Sequence, residues 1–263
     1  MFIDASVNGH RDPFIGQQGA QKAIEYLGQV AQERGRLKAP ALMMPNEGFP
    51  PVVKAMWEAC RLTGSIDLTP MAAVAGSISD ATADYLRELG ATRVIVNNGG
   101  DVAIRLSEDT PITVGIRSNI NSPTVDYKLT VDQSDGIGGV CTSGLGGRSL
   151  TRGIASAAVV FARRCSIADA AATEIANHAC IDSPKIRKVK AETLDFDSDI
   201  KELDVTVGFD DLDQSEISHA ISNGMRRARE LMLDGLVEGI FLKVCNQIRT
   251  RGDIMKRLEP IHS

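Results

Sequence analysis

The chain has 263 residues, a net charge of −5 and only 4% aromatic residues. That length buries a sizeable core, as one large domain or two fused half-domains, and here the core must be built from Ala, Val, Ile and Leu. The acidic balance, without a dominant basic block and with few rings for bases to stack on, excludes generic nucleic-acid binding.

Phe2 to Val7 alternates and predicts a short strand. Gln17 to Arg34 has helical spacing, with Ala20, Ile24, Leu27, Val30 and Ala31 on one face. Pro40 to Pro51 reads as a loop, and Val52 to Leu62 as a helix whose Met56 and Trp57 belong to the core. Thr69-Pro70 opens the next helix, with Thr as N-cap and Pro at the first position, and Gly90 ends it. Arg93–Val96 and Val102–Leu106 are strands around the turn Asn97-Asn98-Gly99-Gly100, and Thr113–Arg117 and Val125–Val131 are two more. A glycine-rich turn, Gly138 to Gly147, leads into the apolar run Ala157–Ala162 and a helix from Ile167 to about His178. Lys185–Lys190 runs straight into the acidic stretch Glu192–Asp211, a charge-balanced, solvated excursion with a strand near 203–208. Glu216–Leu233 is a helix, and Val237–Val244 with Gln247–Thr250 closes the chain as a hairpin.

Helix, glycine, strand, tight turn and strand occur at 78–106 and again at 216–250. A second register aligns Ser77-Ile78-Ser79-Asp80-Ala81 with Ser166-Ile167-Ala168-Asp169-Ala170. Helices in pairs and strands in hairpins predict an α+β fold of two related halves, about 1–132 and 133–263. Each half is an antiparallel sheet backed by a helix pair. Five cysteines without a Cys-x-x-Cys pair argue for a reduced, cytoplasmic setting and against structural zinc. Met1 to Ala5 has no basic leader, and no run nears the roughly 20 apolar residues of a membrane helix. No membrane association is expected.

The chemistry concentrates in residues 137–178. Glycines let backbone amides approach an anion, Thr142 and Ser143 add hydroxyls beside Gly144, and Arg148 follows. The stretch is not a P-loop, which needs Gly-Lys-Ser/Thr, and the alternative is a tight hairpin with bulges. In a helix, Asp169 and Thr173 share a face and can offer two oxygens to a hard cation. The alternative is a buried aspartate capping its own helix, with Thr173 back-bonded to a carbonyl. Asn98, Gly99, Gly100 and Asp101 form a second candidate wall, or Asp101 simply closes its turn. Cys141 is a conceivable nucleophile. His10, His178, His219 and His262 are scattered, without metal-pair spacing. An anion cradle beside a cation-binding pair is what a phosphate ester needs. Three functions fit: a Mg2+-assisted reaction on a phosphorylated or nucleotide-like ligand; a hydrolase or isomerase of a small anionic metabolite using Ser143, Arg148 and Asp101; or a non-catalytic binding module. A homo-oligomer fits the expected two-layer fold.

These residues resemble the ApbE-like superfamily, known for flavin transferases that move the FMN part of FAD, with Mg2+, to a threonine hydroxyl of a target protein. The resemblance covers roughly 60–180. Asp67-Leu68 before a small-residue helix is similar to that family's early motif, Asn97 with Gly99-Gly100-Asp101 to its Gly-Gly-Asp turn, and Thr142-Ser143-Gly144 to its Thr-Ser-Gly motif. Ala168-Asp169-Ala170 with Ala172-Thr173 is similar to its magnesium-binding helix. The resemblance implies a T-fold-like arrangement, FAD and Mg2+ as cofactors, and Asp169 and Thr173 as metal ligands. Thr69-Pro70 and Ala73 stand where the transferases have Gly-Gly and a lysine, and Gly147–Gly153 replaces a His-x-x-Asp-Pro segment. Pro70-Met71-Ala72-Ala73-Val74-Ala75-Gly76 with Asn-Gly-Gly-Asp is closest to a shorter, functionally uncharacterised branch.

Overall fold

Helix and antiparallel sheet alternate through the computed structural model, which describes residues 1–45, 47–107, 110–119 and 124–261. The strands are β1 (Phe2–Val7), β2 (His10–Arg11), β3 (Arg93–Asn98), β4 (Asp101–Leu106), β5 (Ile112–Ile116), β6 (Tyr127–Val131) and β7 (Gly139–Ser143). They continue with β8 (Ala157–Ala162), β9 (Ile186–Lys190), β10 (Asp204–Phe209), β11 (Gly239–Val244), β12 (Gln247–Arg251) and β13 (Glu259–Pro260). The helices are α1 (Pro13–Glu33), α2 (Pro51–Leu62), α3 (Val74–Glu88), α4 (Cys165–His178) and α5 (Gln214–Leu233). The α+β class is as the sequence predicts.

The chain divides into two compact units. One comprises Met1–Ile112, Val131–Cys141 and Phe161–Ala170; the other comprises Thr113–Thr130, Thr142–Val160 and Ala171–Ser263. In the first, strands follow the order β7-β4-β3-β1-β2, with β1–β3, β3–β4 and β4–β7 all antiparallel. In the second, the orders are β12-β11-β8, β13-β6-β5 and β10-β9.

In the first unit, Asp12 begins α1 by accepting the Phe14 and Ile15 amides at 3.0 and 3.1 Å, and Pro13 loses nothing at a position whose N–H has no helical partner. The helix buries Ile15, Gly19, Ala23 and Val30. Gly19 is small because a Cβ there would stand 2.8 Å from Leu86. Val30 joins Leu37, Val52, Val53, Met56 and Ile78 in one core cluster. Ile24 and Leu27, predicted to share a face with Val30, point outward at 70% and 55% exposure. Met56 is buried, and Trp57 is half-buried with its Nε1 donating to the Met44 carbonyl at 3.1 Å.

Three local expectations change. Thr69 makes no side-chain cap: a 3-10 turn, Pro70–Ala73, precedes α3. The stretch Gly138–Gly147 is not one glycine-rich turn, because Gly139–Ser143 is strand β7. Its first glycines serve close packing: a Cβ on Gly138 would lie 2.1 Å from the Arg163 carbonyl, and one on Gly139 2.2 Å from the Cys165 Cα. In the second unit, the basic run is not wholly irregular, since Ile186–Lys190 pairs with β10 as β9.

Candidate functional site

The β3–β4 hairpin carries the first group. Asn98 pairs with Asp101, so the loop holds only Gly99 and Gly100, both left-handed with φ of 77° and 120°. A two-residue hairpin of this kind demands residues without a Cβ penalty. Asn97 Oδ1 accepts the Gly100 amide at 3.0 Å, and the Ser79 hydroxyl donates to the Asp101 carbonyl at 3.3 Å. The turn thereby sets Asp101 at the head of β4.

The second group lies where α3 and α4 begin. A Cβ on Gly76 would stand 2.4 Å from the Cys165 carbonyl and 2.8 Å from Asp169 Cβ, so the two helix starts touch backbone to backbone. Each then receives a carboxylate from the other. Asp169 Oδ2 accepts the Gly76 amide at 2.8 Å, while Asp80 Oδ2 accepts both the amide and the hydroxyl of Ser166 at 2.9 Å. Helix starts leave amides unsatisfied and carry partial positive charge, and this mutual capping answers both. Asp169 therefore does not cap its own helix. It caps another.

Asp80 is buried and further held by Arg105 at 2.8 Å and Arg164 at 3.3 Å. Asp84, one turn along, meets the same two arginines at 2.7 and 2.8 Å. Among the described residues Asp169 meets no such cation. Burial, then the charge of Asp101, push its carboxyl well above the usual carboxylate range, against the lowering pull of the Gly76 and Ala75 amides. Ser77, next along α3, is buried, and its Oγ finds no hydrogen-bond partner among the described residues. The thiols of Cys141 and Cys165 lie 3.4 Å apart, both fully buried. Burial pushes the Cys141 thiol well up, and that of Cys165 to about 11. A thiol so placed is a poor nucleophile, which removes the case for Cys141.

Asn98, Gly99, Gly100, Asp101 and Asp169 thus belong to the first unit, where Asp101 and Asp169 are neighbours. Thr142, Ser143, Gly144, Arg148 and Thr173 belong to the second. There Thr142 is exposed and Ser143 half-buried at the end of β7. Gly144 is a close-approach glycine, since a Cβ would lie 2.8 Å from the Ala155 carbonyl. The Leu145 amide donates to that carbonyl at 2.8 Å, and Arg148 is exposed in the turn that follows. Thr173 is half-buried, four residues beyond Asp169 on α4.

Sequence reasoning missed two features. The Asp80–Arg105–Asp84–Arg164 network was readable only as an i,i+4 acidic pair, with no sign of its partners. In the second unit, a cavity of about 420 Å³ is lined by residues including Cys180, Asp182, Ser183, Lys188, His219 and Asn223, which no motif marks. His10, His178 and His219 are exposed, and His262 lies outside the described residues. Among the described residues no three His, Cys, Asp or Glu are grouped to hold a metal, and no helix is long and apolar enough to cross a membrane.

A protein-family model described as "AbpE bacteria" matches residues 6–250. A UPF0280 protein of Methanosphaera stadtmanae is 37% identical over 178 residues, 68% of this chain and 69% of that protein. Another, from Methanothrix thermoacetophila, is 40% identical over 135 residues, 51% of this chain and 54% of that protein; against such relatives the chain spans about half the length of the curated proteins it matches. The solved apo flavinyl transferase ApbE of Pseudomonas stutzeri is 16% identical, covering 88% of this chain and 71% of that one, with a TM-score of 0.38. The flavin transferase ApbE of Vibrio cholerae is 13% identical, covering 92% and 76%, with a TM-score of 0.39.

Proposed function

The chain belongs to the AbpE bacteria family, and from that membership we propose that it binds a phosphorylated or flavin-nucleotide-like ligand and, with Mg2+, transfers the FMN part of FAD. The observation that carries this reading is the Asp101–Asp169 pair. Two neighbouring carboxylates, one with its acidity suppressed by burial and by the other's charge, form a place that a cation relieves. The donor set suits Mg2+, which takes hard oxygens and is commonly held by one or two carboxylates, the remaining positions going to water and substrate phosphates. Asp169 and Asp101, with Thr173 further along α4, would hold it. When bound, the ion neutralises pyrophosphate charge. In the same reading Asn98, Gly99, Gly100, Thr142 and Gly144 contact the ligand, and Ser143, Asp101 and Arg148 serve the reaction. We take the protein as a cytoplasmic homo-oligomer acting on a small anionic or nucleotide-like ligand.

The bond from the Gly76 amide to Asp169 favours a second reading, a non-catalytic binding module in which Asp169 is architectural. Thermal shift with FAD, FMN, ADP and simple carboxylates, each with and without Mg2+, separates the two. Stabilisation by FAD that requires Mg2+ and vanishes in Asp169→Asn supports the transferase. A response to carboxylates alone points to a hydrolase or isomerase of a small anionic metabolite. Silence with every ligand, together with early melting of Asp169→Asn by roughly 1–3 kcal/mol, leaves the architectural role.

A further inference from the structure

We propose that the cavity of the second unit is a binding site for a small zwitterion, a free α-amino acid with an apolar side chain. The site lies wholly in that unit and does not rest on the transferase reading.

Three pieces of chain wall it. Residues 180–183 run irregularly from the end of α4. Ile186 and Lys188 are two apart on β9 and share a face. His219 and Asn223 are four apart on α5 and share another. Hydrogen bonds fix these walls to one another. Asn223 Nδ2 donates to the Cys180 carbonyl at 2.9 Å, the Ser183 hydroxyl to Glu216 Oε1 at 3.0 Å, and the Ile186 amide to the Ser183 carbonyl at 3.0 Å. The cavity is therefore formed before any ligand arrives, as most small-molecule sites are. At about 420 Å³ it falls toward the lower end of the roughly 300–1,000 Å³ of such sites, the size for one compact metabolite.

Its charges are the ones the fold leaves uncommitted. Around β9, Lys185 pairs with Glu216 at 2.7 Å, Lys190 with Asp204 at 3.0 Å, and Arg187 with Asp210. Among the described residues Lys188 and Asp182, which line the cavity, have no ion pair, and His219 has no hydrogen bond. The backbone amides of Ile181, Asp182 and Ser183 likewise meet no acceptor among the described residues.

These groups set the ligand class. An ammonium, an imidazole and open amides suit a carboxylate, and the Asp182 carboxylate suits an ammonium. Ile181 and Ile186, both half-buried, give an apolar side chain a wall to lie on. A phosphate ester fits worse. Asp182 already offsets Lys188, and Glu216 stands beside Ser183, so a doubly charged phosphate brings more negative charge than one lysine balances.

Isothermal titration calorimetry on the full chain, without FAD or Mg2+, tests this with L-leucine, L-phenylalanine and L-methionine. At least one should bind saturably, one per chain, with a Kd under about 5 mM. Lys188→Met and Asp182→Asn, both at exposed positions, should each weaken that binding about tenfold with an unchanged circular dichroism spectrum, while Lys188→Arg retains it. 4-Methylpentanoate, which is leucine without its amine, should bind about tenfold more weakly than leucine. Absence of binding by all three amino acids overturns the proposal. So does binding that Lys188→Met or Asp182→Asn leaves unchanged, an amine-free acid that binds as tightly as leucine, or AMP that binds more tightly than any of the three. None of these outcomes decides whether FAD binds with Mg2+.

Discussion

Asp84 is a carboxylate that has given up part of its hydration for two guanidiniums. Burial alone would raise its pKa, but hydrogen bonds and charge from Arg105 and Arg164 outweigh that and hold it below the usual value. A depressed folded pKa stabilises above the unfolded value of about 3.9, and that contribution is lost as pH falls through the folded pKa. The melting temperature of Asp84→Asn should therefore lie a few degrees below wild type at pH 7, with the gap narrowing progressively as pH falls below the unfolded value of about 3.9. A gap that stays constant across that range would show that charge is not what Asp84 contributes. This network was only half legible in the sequence. Asp80 and Asp84 are visibly on one helix face, but Ser166 stands 86 residues from Asp80, and local spacing cannot name so distant a partner. The sequence offered the Asn98–Asp101 turn as a second wall and paired Asp169 with Thr173, and no local spacing could name Asp101 as the neighbour of Asp169.

Among the elements, contact at the α3–α4 start is set by Gly76. Gly76→Ala would place a methyl 2.4 Å from the Cys165 carbonyl, where backbone on both sides leaves nothing flexible to yield. Although Ala is the better helix former by about 1 kcal/mol, overpacking of this sort costs about 1–3 kcal/mol or more. Chemical denaturation should show net destabilisation; a neutral or stabilising result would mean that the helices separate at little cost. The hairpins were legible because alternation and paired glycines are local signals. Strand β9 was not, because Arg187, Lys188 and Lys190 are all exposed and no alternation survives when both faces meet water. The buried face of α1 was misread for a related reason. Periodicity locates apolar stripes, but Gly19 faces the core because Leu86 needs the room, and Ala23 because α2 and α3 supply its neighbours, neither of which the helix's own sequence expresses.

At the scale of the molecule, neither compact unit is a continuous stretch. The first takes Val131–Cys141 and Phe161–Ala170 from beyond its main segment, and with them β7 up to Cys141, Ser166 and Asp169. A fragment of residues 1–130 lacks all of these. It should show no cooperative thermal transition by circular dichroism, whereas the full chain should show one; a sharp transition in the fragment would make the added segments dispensable. The mutual capping of α3 and α4 also has a meaning in time. Asp169 follows Gly76 by 93 residues. At the roughly 5–20 residues per second of synthesis, about 5–20 s pass between the making of Gly76 and the making of its cap. For that interval the nascent α3 has an unfinished start, held by water or by whatever attends the ribosome, and the step that completes it is the arrival of α4.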